Sequence, residues 1–227
     1  MTDPQNAVGV LVSLNGLAGG LFLLTAFGMI AMRQVLGCVS LFVAQSILLA
    51  ASAMILGYNH VSAHLFVVAV ITLGMKSILI PWLLGRTVPQ EVYTRREISQ
   101  ILNIPTSLLL GVALVIVAYF ATSSLIKASE GAFVKINVPV GLAGVLLGAY
   151  TVVVRREAVP QVMGLLNMEN GAFFAGVCIA PDLPTIAELA AAFDVVIVAL
   201  VMGLLTRRIR ERTGTTAVGR MAALKEE

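Results

Sequence analysis

Seven stretches of this chain are long and apolar enough to cross a bilayer: residues 8–30, 35–56, 61–84, 105–125, 138–154, 158–180 and 184–206. A hydrocarbon core about 30 Å thick calls for about 20 such residues in a helix that rises about 1.5 Å per residue. Composition points the same way. Hydrophobic residues make up 59% of the 227, charged residues 12%, and the mean hydropathy is +0.97. A soluble domain carries about 25% charged residues, so polar groups here are too few to cover a globule and lipid is the solvent. Disorder, a fibrous repeat and a disulfide scaffold are excluded. Cys38 and Cys178 lie in apolar runs without C-x-x-C spacing, which argues against zinc or iron–sulfur centres in this chain. The opening MTDPQNAVGV has no positive n-region, so it reads as a retained first span rather than a signal peptide.

The expected fold is an all-α, polytopic integral membrane protein of about seven transmembrane helices. Its orientation follows from Lys and Arg. Seven spans put Arg33, Arg86, Arg95, Arg96, Arg155, Arg156 and six basic residues of the tail on one side, twelve in all. The other side holds Lys127 and Lys135, and Lys76 lies within a span. The positive-inside rule then places the C-terminus in the cytoplasm and the N-terminus outside. The chain divides into an N-terminal four-helix region, 1–136, a three-helix module, 137–206, and a basic cytoplasmic tail, 207–227. A polar cytoplasmic loop, 86–104, has room for a short helix on the membrane surface. The spacings Gly16–Gly20 and Gly144–Gly148 fit close helix contacts; no strand precedes either, so neither reads as a nucleotide loop.

Ionisable groups at bilayer depth are the informative residues. Each costs about 2.5–3.5 kcal/mol at a helix centre on insertion scales, so it needs a partner or a water-filled cavity. Lys76, Glu169 and Asp194 qualify. Both acids lie about 15–17 Å from their helix starts, near the midplane. A static buried pair accounts for one acid and Lys76. Two acids and one base leave a surplus carboxyl, which favours a proton relay. Glu188 sits near the outer end of its span, about 120° around the helix from Asp194, and reads as a water-access or interface residue. His60 and His64 have the i, i+4 spacing of a metal pair but no third ligand nearby, so an interfacial position is the better reading. No nucleophile–base pair, phosphate loop or redox motif stands out, and the expectation is a chain with no catalytic site of its own.

From residue 154 onward the sequence resembles the K subunit of respiratory complex I, a three-helix membrane protein. Arg155-Arg156 matches a twin-arginine turn, Gly164-Leu165 lies in the next helix, and Asp194 precedes Arg207-Arg208 at the family's spacing. Leu166 stands where that family has its first glutamate, and the acid appears three residues on, at Glu169. That is nearly one helical turn, about 4.5 Å along the axis. A broader resemblance covers essentially the whole chain. Met168-Glu169-Asn170-Gly171, the Ala-Phe-Asp ending at Asp194, the tail RTGTTAVGRMAALK, and Lys76 and Pro81 in MKSILIP are similar to the E component of hydrogenase-4 and formate hydrogenlyase-type complexes.

That resemblance implies a membrane-arm subunit in a bacterial or archaeal cytoplasmic membrane, a non-catalytic part of an oxidoreductase complex. Its partners would be antiporter-like membrane subunits and a peripheral redox module, with nickel–iron and iron–sulfur centres on those other chains, no cofactor on this one and no nucleic acid. Glu169 and Asp194 would be protonatable stations and Lys76 their charge partner. Asn167 and Asn170 would hydrogen-bond water or a carboxylate, and Gly171 would admit a neighbouring helix or water. Other readings are a subunit of a multi-subunit cation/proton antiporter, a free-standing transporter, or a structural linker with inert charges. The charge asymmetry yields a direct expectation. A cysteine placed after Lys225 should react with an impermeant label only from the cytoplasmic side; reaction from outside contradicts the assignment of spans.

Overall fold

The computed structural model describes residues 4–60, 62–87 and 101–179. The expected seventh span with Glu188 and Asp194, the basic tail, and most of the polar loop with its expected surface helix lie outside the described residues. Within them the regular elements are helical. They are α1 (Pro4–Ala31), α2 (Val35–His60), α3 (Ala63–Thr72), a π-helical segment (Leu73–Leu79), α4 (Ile80–Thr87), α5 (Ile104–Ala128), α6 (Ala132–Val154) and α7 (Ala158–Ile179). Among the described residues, six helices are long and apolar enough to cross a membrane, α3, the π segment and α4 counting as one rod. Connections of only a few residues fold α1 back on α2, α2 on α3, α5 on α6 and α6 on α7, which makes each pair antiparallel.

Two local departures from plain helices have causes in the sequence. Pro81 lacks an N–H for the carbonyl one turn behind it, and the wider π turn lies immediately before it. That turn buries Lys76. In α6, the helix starts at Ala132, six residues before the expected span, so Lys135 and Asn137 are helical and Pro139 is interior. Pro105 opens α5 within its first turn, where a missing N–H costs nothing.

The centre of the bundle is built by α1, α2, α6 and α7. Near the face where α2 begins, Met29, Val35, Cys38, Val39 and Phe42 pack against Ile80 and against Val159, Val162, Met163 and Leu166 of α7. Phe22, Leu49 and Phe174 form a middle layer. Toward the opposite face, Ala50, Ala53 and Leu56 meet Leu65 and Ala69, Phe133 and Val177. Helix α5 lies at the periphery. It buries Ser107, Gly111, Ala118 and Thr122 and leaves Leu109, Ile116, Tyr119 and Phe120 exposed, as suits a lipid-facing span.

The tightest contact is between α6 and α7, and glycine makes it. A Cβ built on Gly148 would lie 2.7 Å from the Gly164 carbonyl oxygen, and one on Gly171 would lie 2.5 Å from the Val145 nitrogen. The backbones themselves touch, so dispersion rather than side-chain burial holds the pair together in lipid. The expected Gly144–Gly148 contact is therefore present. The Gly16–Gly20 spacing does not act in this way: Gly16 would make an ordinary 3.7 Å contact with Ile136, and Gly20 has nothing within 4 Å. Helix α1 meets α6 across side chains, so no backbone approach is required there. Gly148→Ala and Gly171→Ala should each destabilise the bundle by about 1–3 kcal/mol through overpacking. Gly20→Ala should not, and equal unfolding midpoints for all three in detergent would contradict the seam.

Candidate functional site

The π turn places Lys76 inside the bundle, 4% exposed, against the polar face of α7. Its ammonium group lies 2.8 Å from Glu169 Oε1 and donates to Asn170 Oδ1 at 2.9 Å. It also sits 5.4 Å from the centre of the Phe173 ring, within cation–π range. Glu169 is 24% exposed, so the pair joins a buried cation to an acid at the edge of the bundle. Adjacent positions on a helix point about 100° apart. Lys76 reaches both Glu169 and Asn170 because it approaches between them.

A line of amides continues inward from the pair. Asn170 Nδ2 donates to Gln45 Oε1 at 3.0 Å and approaches Ser46 Oγ at 3.5 Å. Gln45 Nε2 in turn donates to Asn167 Oδ1 at 2.7 Å. Ser46 sends its own hydroxyl proton to the Phe42 carbonyl at 2.9 Å. Asn167 and Asn170 are three residues apart, hence on one face of α7, and Gln45 clamps both. Every amide in the line turns its oxygen toward Lys76, so the dipoles add along the chain and favour the cation at its end. Gln45, Asn167 and Asn170 are buried.

A second polar cluster lies nearer the face where the chain begins. Asn15 Nδ2 donates to Asn137 Oδ1 at 2.6 Å, Asn137 Nδ2 to Ser52 Oγ at 3.2 Å, and Ser52 to Asn15 Oδ1 at 2.6 Å. The three side chains, from α6, α2 and α1, close a neutral ring. At the opposite face Arg155 is buried, and one guanidinium nitrogen lies 2.8 Å from each of the carbonyls of Met29, Ile30 and Met32. Those carbonyls end α1, where a helix has unsatisfied acceptors and the negative end of its dipole. Burial lowers the pKa of Arg155 from the ordinary arginine value, and Cys38 and Glu157 oppose the shift. Its neighbour Arg156 is exposed.

Of the residues singled out in the sequence, the structure brings Lys76, Glu169, Asn170 and, through Gln45, Asn167 together. The oxygens of Asn170 and Asn167 accept from Lys76 and Gln45. Gly171 serves the α6 contact and not the polar line. Asp194 and Glu188 lie outside the described residues, as does the His60 side chain. Among the described residues no three His, Cys, Asp or Glu side chains gather as a metal site. Sequence reasoning passed over Gln45, Ser46, Asn15, Ser52 and Asn137. Their only signal is an uncharged polar residue in an apolar run, as in LFVAQSILL.

The pair's chemistry is that of a buried lysine matched by a carboxylate and an aligned amide oxygen. Removing one partner strands the other in a low-dielectric site, a cost of about 3–5 kcal/mol. Lys76→Met should therefore destabilise the bundle by that order in detergent unfolding, and adding Glu169→Gln should restore most of the loss. No recovery in the double variant would show that the two side chains are not coupled.

Comparison with known proteins places this architecture. The chain is 30% identical over 210 residues to the uncharacterized protein Rv0085 of Mycobacterium tuberculosis, covering 92% of this chain and 94% of that protein. It is 27% identical over 219 residues to hydrogenase-4 component E of Escherichia coli and to that of Shigella flexneri, covering 93% of this chain and 97% of theirs. No family model matches the chain. No solved structure matches it either. End-to-end similarity at this level, together with the long apolar helices, shows that the chain belongs to the family of Rv0085 and is a homologue of hydrogenase-4 component E.

Proposed function

We propose that this chain is a membrane-arm subunit of a complex I-related, energy-converting complex of the hydrogenase-4 kind, and that it carries part of a proton path. One observation supports this above others: a lysine and a glutamate 2.8 Å apart inside a helical bundle of membrane-spanning length, tied into a line of amides. Ionisable groups at this depth mark ion pathways and proton relays. Glu169 is the first protonatable station, Lys76 its charge partner and Asp194 the second station. Asn170, Gln45 and Asn167 hold Lys76 in register. Glu188 supplies access at the outer surface.

The twelve-to-two charge count supports a seventh span, the N-terminus outside and a cytoplasmic tail, in a bacterial or archaeal inner membrane. On this reading the redox chemistry falls to partner subunits. Cys38 and Cys178 each donate to a main-chain carbonyl on their own side of the bundle, of Met29 and Ala175, which does not fit a shared cluster. Nickel–iron and iron–sulfur centres belong to partner subunits, next to antiporter-like chains that would cover the polar edge at Glu169. The twin-arginine turn lies within the K-like module, and Arg155, by capping α1, ties that module to the four-helix region.

Moving a proton through this site requires that the carboxyl accept it while Lys76 stays close. When Glu169 is ionised, the salt bridge holds it. When a proton arrives, the carboxyl is neutral and Lys76 keeps, among the described residues, the Asn170 oxygen and the Phe173 ring, so charge displaced elsewhere in the membrane can shift the balance. The test is proton uptake in vesicles, normalised to assembled complex. Glu169→Gln and Asp194→Asn should each impair uptake while the complex assembles, and Lys76→Met should be at least as harmful. Wild-type coupling in both acid variants eliminates the relay; lost assembly with normal coupling per complex identifies the pair as structural.

A further inference from the structure

The neutral ring of Asn15, Ser52 and Asn137 has no part in the Lys76–Glu169 pair, yet it is placed in line with it. On α2, Gln45 and Ser52 are seven residues apart, which puts them on one face about 10 Å apart along the axis. Leu49 lies between them on that face. On α7, Phe174 follows Asn170 by one turn, and on α1, Phe22 follows Asn15 by two. Helix α2 thus carries the inner polar line, one apolar layer and the neutral ring in that order, while α7 supplies the line and the layer, and α1 the layer and the ring. The layer is Phe22, Leu49 and Phe174, all at most 1% exposed, with the two rings 4.7 Å apart.

We propose that Asn15, Ser52 and Asn137 form the half of the proton route between the Lys76–Glu169 pair and the face where the chain begins, and that Phe22, Leu49 and Phe174 are the gate between them. The inference rests on the proton path proposed above and adds to it a direction and a barrier. The ring offers oxygen acceptors without a fixed charge, so water can replace its internal hydrogen bonds at little cost and a protonated water is not trapped there. The apolar layer is one side chain thick along α2, about 6 Å from Gln45 to Leu49 and about 4.5 Å from Leu49 to Ser52. A constriction of that thickness blocks conduction while dry and permits it when wetted. Three buried polar groups serve equally well as interhelical glue. Their position on α2, separated from the amide line of the acid–base pair by the single packed layer of Phe22, Leu49 and Phe174, is what favours a route.

The experiment measures passive proton influx into proteoliposomes holding the assembled complex, driven by a potassium diffusion potential with valinomycin and read by a trapped pH-sensitive dye. Leu49→Ser should raise influx, about tenfold for each 1.4 kcal/mol removed from the barrier. Asn137→Leu or Ser52→Ala in that background should return influx toward the wild-type level, and so should Glu169→Gln. Leu109→Ser, on the lipid-facing side of α5, is the control and should leak no more than wild type. Unchanged influx in Leu49→Ser, and in the milder Leu49→Ala, overturns the gate. A leak that ignores Asn137→Leu and Ser52→Ala but needs Glu169 overturns the ring as a route and leaves the proton station standing. A leak that needs Asn137 but ignores Glu169→Gln keeps the ring and gate and contradicts the station.

Discussion

A lysine ammonium buried inside a bundle of long apolar helices has to be matched, and the polar interior of this protein is arranged around that requirement. Lys76 has three N–H donors. The structure gives it a carboxylate, an amide oxygen and an aromatic face, all from α7. Meeting that need constrains more than the contacts themselves. The third membrane rod must turn Lys76 inward, which the π segment does. Helix α7 must present Glu169, Asn170 and Phe173 together, and its opposite face must then be free to lie flush on α6. Glycines at 164 and 171 allow that close approach. The cation, the wide turn and the glycine seam are parts of one arrangement.

The arrangement also explains why uncharged polar residues extend so far into the core. Asn170 can direct its oxygen to Lys76 only if its amide hydrogens have somewhere to go, and Gln45 accepts one of them. Gln45 then passes the same demand to Asn167. Such a chain fixes orientation at each step, since reversing one amide would put two acceptors or two donors face to face. Arg155 does comparable work at the opposite end of the bundle. There a single guanidinium nitrogen collects the last carbonyls of α1 and fixes where the first helix stops relative to the turn between α6 and α7.

Much of this was legible in the sequence, and the part that was not has a physical reason. Long apolar runs identify spans because lipid leaves a helix few other lengths, and the described helices lie on those runs. Lys76 and Glu169 stood out because charge at that depth is rare. Gln45, Asn15, Ser52 and Asn137 did not, because one amide or hydroxyl barely changes the hydropathy of a twenty-residue window. The early start of α6 was hidden by Lys135 and Asn137, which read as loop residues although the helix includes them. Arg155 and Arg156 are equivalent in a charge count. Only the packing of α1 against the α6–α7 turn distinguishes the buried cap from the exposed neighbour. The partner chosen by Lys76 was likewise undetermined, since pairing depends on the rotation imposed by the π turn.

The central claim is that Glu169 changes protonation while Lys76 remains beside it. Infrared difference spectroscopy of the intact complex, comparing resting and turning-over states, reports this directly through the carbonyl stretch of a protonated carboxyl. The account predicts a carboxyl band that appears and disappears with turnover, shifts in deuterium oxide and is missing in Glu169→Gln. A spectrum in which every such band survives Glu169→Gln would mean that the glutamate stays ionised throughout, and that the pair holds the bundle together without carrying protons.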